Sequence, residues 1–589
     1  MKHTRTLLAA TLALTLASCG QQVATVQNQT AGAQASTDKE VIAGAYLVGF
    51  KQSALSAQSL SEQAALQAQA ISAAGGVMTS QWVDISAAAV KLSPEALSKL
   101  EKNPLVEYVE PDLERRALGF RSGGTTGNQT SQGLGAQAVT GQALTTPPYT
   151  ASGEYTWGDN ALKVEQLRAS NYTGAGVAVC IGDTGIDGNH PEFQKKIKAF
   201  KNFTGEAGRD NPYALNDLSH HGTHVAGTVF AQYGAGTGAP LRQDEMTDPN
   251  GVGGVATGVN LYIARVLGDT GRGSSSSIIN GVNWCASQLK SQGGTENKVV
   301  ISLSLGGGRA SQTEQRAYTS VWKKGAFTVI ATGNESTAVS YPAAYTDTVA
   351  VGAIDNTEAK ADFSNFGPQV DLVGPGVDVF SSVPLKQGTR SYAGVGGVRF
   401  ANKVLSADTS SKGDVTGTVV KAGDGTGTAG ANQFCGTGTR NPALSGNIAL
   451  ISRGTCTFEE KVANAVASGA KAVMIYNNTA GEMGLSLTNP YSIPVVGIWQ
   501  SDGEATLAKL PATGRVEVLD ADYESYNGTS MATPHVSAAA AVVWAAKPTL
   551  TNTQLLSLLT STAKDLGPAG KDDNFGYGLV QPLKAITGQ

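Results

Sequence analysis

Residues 176–187 read GVAVCIGDTGID, and the apolar run Val177 to Ile181 inside them constrains the fold most. An unbroken stretch of β-formers bounded by glycines has no polar face. It suits a strand covered on both sides, which points to a parallel sheet with helices on each face. The run stops at Asp183, so the carboxylate falls at the carboxyl end of its strand, where open α/β sheets build their sites. The expected class is therefore α/β.

Two further segments carry chemistry. The chain has six histidines among 589 residues. Three of them, His220, His221 and His224, fall within HHGTHVAGT at the start of a helical stretch. GTSMATP, Gly528 to Pro534, places Ser530 in a small-residue turn that leads into an alanine-rich helix. A serine there is an N-cap or a nucleophile close to unpaired backbone N–H groups. The strand FTVIAT, Phe327 to Thr332, ends at Gly333 and Asn334. On its own, that pair reads as a turn.

Taken in order, the segments around Asp183, His221 and Ser530 resemble the subtilisin-like serine proteases over Tyr155 to about Pro384 and Tyr523 to Pro582. The resemblance implies a parallel sheet sandwiched by helices and an endopeptidase using an Asp-His-Ser triad. A serine hydroxyl is a poor nucleophile at neutral pH, so His221 would act as general base, and Asp183 would fix its tautomer. Family likeness makes the Asn334 amide an oxyanion donor beside the Ser530 N–H. It also makes Ser304, Leu305 and Gly306 one substrate edge and Gly271 to Gly273 the other, pairing with the peptide backbone by β-augmentation.

Rival readings fit less well. DTG occurs at Asp183 and again at Asp269, a doubling typical of aspartic proteases, yet the α/β alternation does not fit an all-β bilobal enzyme. His221 and His224 lack the glutamate of a zinc HExxH motif, and His224 and His535 are expected to be structural. The non-enzyme alternative is an inactive cell-surface binding lipoprotein on the same fold. It fits poorly with four intact catalytic positions.

Around this core the resemblance implies further parts. LVEYVEPD, Leu105 to Asp112, is similar to the end of a subtilase inhibitor propeptide, giving an α+β, ferredoxin-like unit over residues 41–116 and a zymogen. A helical run near Leu55 to Ile71 is expected in it, then a second helix with Ser93 as N-cap and Pro94 at its first position. Residues 117–150, rich in Gly, Ser, Thr and Gln, read as a linker ahead of a catalytic domain over 151–589. After Pro384 an insertion, residues 387–521, alternates strand and helix signals and resembles a protease-associated domain. Arg453, Gly454 and Cys456 are read there as fold determinants.

Lys2, Arg5, the apolar run Leu7 to Leu16 and then LASC resemble a lipoprotein signal over residues 1–19 with Cys19 as the lipidated residue. An ordinary signal peptide is the alternative. Export to the cell envelope or beyond follows, with any membrane contact made through Cys19. The other cysteines number four, and the pairs Cys180–Cys285 and Cys435–Cys456 are expected, because Cys285 shares an apolar helix face with Ile278, Val282 and Leu289. Glu192, Asp248 and Asn250 lie where subtilases often hold structural calcium; no cofactor is needed for the chemistry. The net charge of -4 suggests no nucleic-acid partner. Expected partners are protein or peptide substrates and the chain's own propeptide, and the enzyme is expected to be a monomer.

Overall fold

The computed structural model describes residues 40–56, 58–121, 148–236, 251–407, 409–423, 432–481 and 483–589. Cys19, Asp248 and Asn250 lie outside them.

At the centre is a seven-stranded sheet in the order Val370–Pro375, Val349–Ile354, Phe327–Ala331, Val299–Leu303, Ala178–Asp183, Asn260–Arg265, Ile197–Asn202. Every neighbouring pair is parallel. All six residues of Ala178–Asp183 are buried, because both faces are covered. The alternation of side chains in Val299–Leu303 shows how. Ser302 meets Ser537 of the helix Thr529–Ala546 at 2.9 Å. Its neighbour Ile301 points the other way, in register with Cys180, which is disulfide-bonded to Cys285 on the helix Ser275–Ala286. The helix Thr529–Ala546 packs on His221–Phe230, and Ser275–Ala286 on Gln312–Lys323.

The N-terminal unit runs strand, two helices, strand, strand, helix, strand. Its sheet order is Val106–Ala117, Val41–Phe50, Ala87–Lys91, Val77–Trp82, antiparallel throughout. The run expected near Leu55 to Ile71 is two helices, Gln52–Leu55 and Leu60–Ala74, and the second starts at a Ser59–Glu62 capping box. Ser93 caps Pro94–Glu101 as its sequence predicts. One sheet face carries these helices; the other, through Leu47, Trp82, Ala87 and Ala89, packs on Ile279 and Ala317 of the helices Ser275–Ala286 and Gln312–Lys323.

Both helices beneath this unit are capped by it. Glu110 accepts from Ser311 Oγ, Gln312 N and Thr313 N, and Asp112 accepts from Ser276 N and Oγ. Orphan N–H groups at two helix starts are thereby satisfied by carboxylates, which the helix dipole favours.

The insertion forms an eight-stranded sheet with an apolar cluster on each face, Ala449 and Ile451 in one, Ile448 and Leu450 in the other. Cys435 is bonded to Cys456 within it. It hangs from a two-stranded ribbon. Val379–Ser382 pairs antiparallel with Tyr523–Asn527, and the pairing resumes between Gly388–Val395 and Ala512–Ala521. Among the described residues no helix is long and apolar enough to cross a membrane.

Candidate active site

Asp183 ends its strand and turns into the loop, where its Oδ1 accepts from Thr184 N at 2.7 Å and meets His221 Nδ1 at 2.8 Å. Both side chains are buried. With the carboxylate on Nδ1, the ring carries its proton there and leaves Nε2 as an acceptor. His221 opens the helix His221–Phe230, whose start is tied to the aspartate loop: Gly222 N donates to Thr184 Oγ1 at 2.8 Å. Gly222 has to be glycine, since a Cβ there would lie 2.2 Å from Gly185 O.

Asp217 completes this tie. Buried, it accepts from Thr184 Oγ1, Thr223 N and Thr223 Oγ1. Burial pushes its carboxyl above the ordinary aspartate range.

Ser530 is the second residue of its helix; the N-cap is Gly528, so a capping role for the serine is excluded. Pro534 explains the local geometry. Lacking an N–H, it leaves the Ser530 carbonyl without its helical donor. Ser304 Oγ donates to that carbonyl at 2.8 Å, and Ser530 Oγ donates in return to Ser304 O at 2.9 Å. The hydroxyl is therefore not hydrogen-bonded to His221, whose Nε2 is buried with no hydrogen-bond partner among the described residues.

Between these groups lies the chain itself. Val106–Ala117 pairs antiparallel with Leu305–Gly306 on one side and with Arg272–Ser274 on the other. Ala117 N donates to Gly271 O at 2.9 Å, and Leu118 N to Ser304 O at 3.2 Å. Beyond Gly119, Phe120–Arg121 pairs with Tyr526–Asn527. Residues 117–121, assigned to the linker from composition, are thus ordered in the cleft. Gly271, Gly273, Ser304, Leu305 and Gly306 all lie along this strand.

The Leu118 carbonyl faces Ser530 N at 3.3 Å and the Asn334 amide Nδ2. That amide is oriented from behind, since its Oδ1 accepts from Thr529 N at 2.9 Å and Thr529 Oγ1 at 2.8 Å. A Cβ on Gly528 would lie 2.4 Å from Leu118 O, and one on Gly119 2.8 Å from His221 Nε2. Gly306 opens space for the Leu118 side chain, whose Cδ1 would be 2.9 Å from a Cβ there. One residue before Ala117, Arg116 pairs with Glu335 at 2.7 Å in partial exposure. Arg115 is fully buried against Glu314. Burial works against the Arg115 charge, and the adjoining Glu314 carboxylate more than offsets it, raising the guanidinium pKa.

His224 and His535 face backbone carbonyls. His224 Nε2 faces Val379 O and Glu524 O and its ring stacks on Tyr526 at 4.4 Å; His535 Nδ1 faces Met531 O at 2.7 Å. Burial brings their pKa values down to about 3 and about 4. Glu192 is buried, accepting from Tyr523 OH and Val252 N through Oε1, while Oε2 has no partner among the described residues. Burial pushes its carboxyl up to about 8. Among the described residues no three His, Cys, Asp or Glu converge to hold a metal ion. Of the expected calcium set only Glu192 falls within the described residues, since Asp248 and Asn250 lie outside them. Asp269 of the second DTG is a structural ion-pair partner of Arg209 and Arg265.

Residues 174–451 and 499–578 match the Subtilase family. The chain belongs to this family. Residues 415–506 of the subtilase match the PA domain, and residues 27–112 match the Fervidolysin N-terminal prodomain. Subtilisin J of Geobacillus stearothermophilus is 33% identical over 383 residues, covering 64% of this chain and 80% of the relative. Subtilisin E of Bacillus subtilis (strain 168) is 33% identical over 361 residues, covering 60% and 76%. The psychrophilic subtilisin-like protease Apa1 of Pseudoalteromonas sp. AS-11 superposes with a TM-score of 0.52 at 28% identity, covering 74% of this chain and 98% of its own. Fervidolysin from Fervidobacterium pennivorans, a keratinolytic enzyme related to subtilisin, matches with a TM-score of 0.54 at 21% identity, covering 94% of this chain and 62% of its own, which shows the fold. This subtilase is accordingly a serine peptidase with an N-terminal prodomain and an inserted PA domain.

Asp217, Thr529 and Glu314 were not singled out from the sequence. Asp217 had a local signal, lying a few residues ahead of HHGTH. Glu314 had none, being the single acidic residue of an amphipathic helix, in its first turn.

Proposed function

We propose that the subtilase is made as an inhibited precursor that cuts its own Leu118–Gly119 peptide bond with Ser530 as nucleophile. The observation that carries this reading is the Leu118 carbonyl, which faces Ser530 N and Asn334 Nδ2 while the chain on both sides of it is paired to the cleft.

The chemistry follows from the geometry. Rotation of the Ser530 side chain exchanges Ser304 O for His221 Nε2, and Oγ attacks the Leu118 carbonyl carbon as Nε2 takes its proton. Asp183 stabilises the imidazolium. The oxyanion that forms is held by Ser530 N and the Asn334 amide, each such donor contributing about 3 kcal/mol in the transition state. Collapse breaks the C–N bond, His221 protonates the departing Gly119 amine, and water then releases Leu118 from Ser530. The prodomain stays bound through its strand and its two helix caps, inhibiting until it is degraded. Other proteins then occupy the same strand position as substrates.

Leader readings follow the same cut. If Cys19 is lipidated, hydrolysis after Leu118 leaves the lipid on the prodomain fragment and frees the enzyme. Ser530→Ala tests the proposal: self-cleavage and casein hydrolysis are expected to vanish together. Full casein hydrolysis by the variant would overturn it, and an uncut, inactive wild-type chain would favour the binding-lipoprotein alternative.

A further inference from the structure

Arg115 lies four residues before the gap between Leu118 and Gly119, counting Leu118 as the first, and its side chain is fully buried in the catalytic core. It meets Glu314 in a two-point contact, Nε to Oε1 at 3.0 Å and Nη2 to Oε2 at 2.6 Å. Nη2 also donates to Arg309 O at 2.7 Å. Gly307 supplies the space, since a Cβ there would stand 2.7 Å from Arg115 Nη1.

The carboxylate is held in place by the enzyme itself. Ser275 Oγ donates to Oε1 at 2.5 Å and Tyr345 OH to Oε2 at 2.9 Å. Tyr345 is fixed in turn by Ser311 N at 2.6 Å. Both partners of Glu314 belong to the catalytic domain and stay when the prodomain leaves. What remains is an anchored carboxylate at the base of an open slot.

We infer that Glu314 makes this cleft select polypeptides with arginine at the fourth position before the scissile bond, together with a medium-sized aliphatic residue at the first. The inference rests on the self-cleavage reading, because that reading sets the register of the bound strand. An apolar residue at the fourth position would cover Glu314 without a counter-charge, which is the costly way to bury an ion. A lysine would supply charge without the planar fork that engages both oxygens. Arg116 serves as the internal comparison, since its partner Glu335 is partly exposed and such pairs contribute little.

Quenched fluorescent peptides spanning Leu113 to Ser122 test this with the matured enzyme. Replacing the arginine that corresponds to Arg115 by alanine should lower kcat/KM by at least about thirtyfold, and replacing the one that corresponds to Arg116 by no more than about fivefold. In Glu314→Gln the ratio between the first pair of peptides should fall toward one. Equal cleavage of those two peptides by wild-type enzyme overturns the inference, whether or not the variant folds, and so does a preference that persists in a folded Glu314→Gln. A peptide series left uncut while casein is hydrolysed, or cut at another bond, would overturn the register; cleavage that Ser530→Ala performs equally would instead overturn the proposed function.

Discussion

Asn334 shows how little of a proposed oxyanion donor is visible in its own neighbourhood. Its local sequence reads as a turn after a strand, and what gives the amide a direction is Thr529, distant in sequence, donating twice to Oδ1. The expected effects follow from that arrangement. Asn334→Ala should lower kcat by about 10²- to 10³-fold and, because it leaves the two Thr529 donors without their acceptor, also lower stability by about 1–3 kcal/mol. Thr529→Val, which removes one hydrogen bond behind the amide, should cost about 1 kcal/mol, a loss near fivefold. Steady-state kinetics on one peptide checks both, and a Thr529→Val enzyme as impaired as Asn334→Ala would contradict the division of labour. Ser304 was expected beside an extended chain and its carbonyl accepts from Leu118 N, whereas its reciprocal bonding to Ser530 was not legible, because it depends on the donor that Pro534 lacks.

Among the elements, strands buried on both faces were the most readable. Val177 to Ile181 predicted a core strand and Ala178–Asp183 is one, because an uninterrupted apolar run has no other stable placement. Composition misplaced residues 117–121 instead. Ala, Leu, Gly, Phe and Arg carry no strand signal of their own there, and their extended form comes from edges on the catalytic core that pair with them. Where the insertion joins the core was legible from chain order, and the ribbon explains the consequence. The strand Tyr523–Asn527 pairs with Val379–Ser382 and, past the cleavage point, with Phe120–Arg121. Under the proposed cleavage, the inserted domain is therefore rooted in the strand that a substrate would touch beyond its scissile bond. Deleting residues 387–521 and closing the ribbon with a short turn should lower turnover of casein more than that of a short peptide. Equal losses on both substrates would reduce the domain to mechanical support.

For the whole molecule, the two neutral histidines set an acid limit. His224 and His535 have folded pKa values of about 3 and about 4, below the ordinary value near 6.5. As pH falls below about 6.5 the unfolded chain takes up these protons first, so it binds more protons than the native state and stability drops. The loss should continue until the folded pKa values are reached, at no more than about 2.7 kcal/mol per pH unit for two protons, and should be absent above pH 7. Denaturant unfolding of the Ser530→Ala precursor between pH 4 and 8 checks the sign. The same replacement prevents self-digestion from obscuring the transition. Glu192, whose carboxyl is raised by burial to about 8, works in the opposite direction over this range. The histidine contribution is therefore read as the difference between this precursor and one that also carries His535→Gln; the same pH dependence in both would contradict it.

Three units along the chain meet at one peptide bond: the prodomain delivers Leu118, the strand ends of the parallel sheet and the helix opening at His221 hold Asp183, Asn334 and His221, and the helix after the insertion brings Ser530. The most direct measurement is the intact mass and N-terminal sequence of the purified protein beside Ser530→Ala. The geometry predicts a wild-type enzyme beginning at Gly119 and a variant uncut at that bond. A first cut at any other bond in the wild type, or the same cut at the same rate in Ser530→Ala, would contradict it.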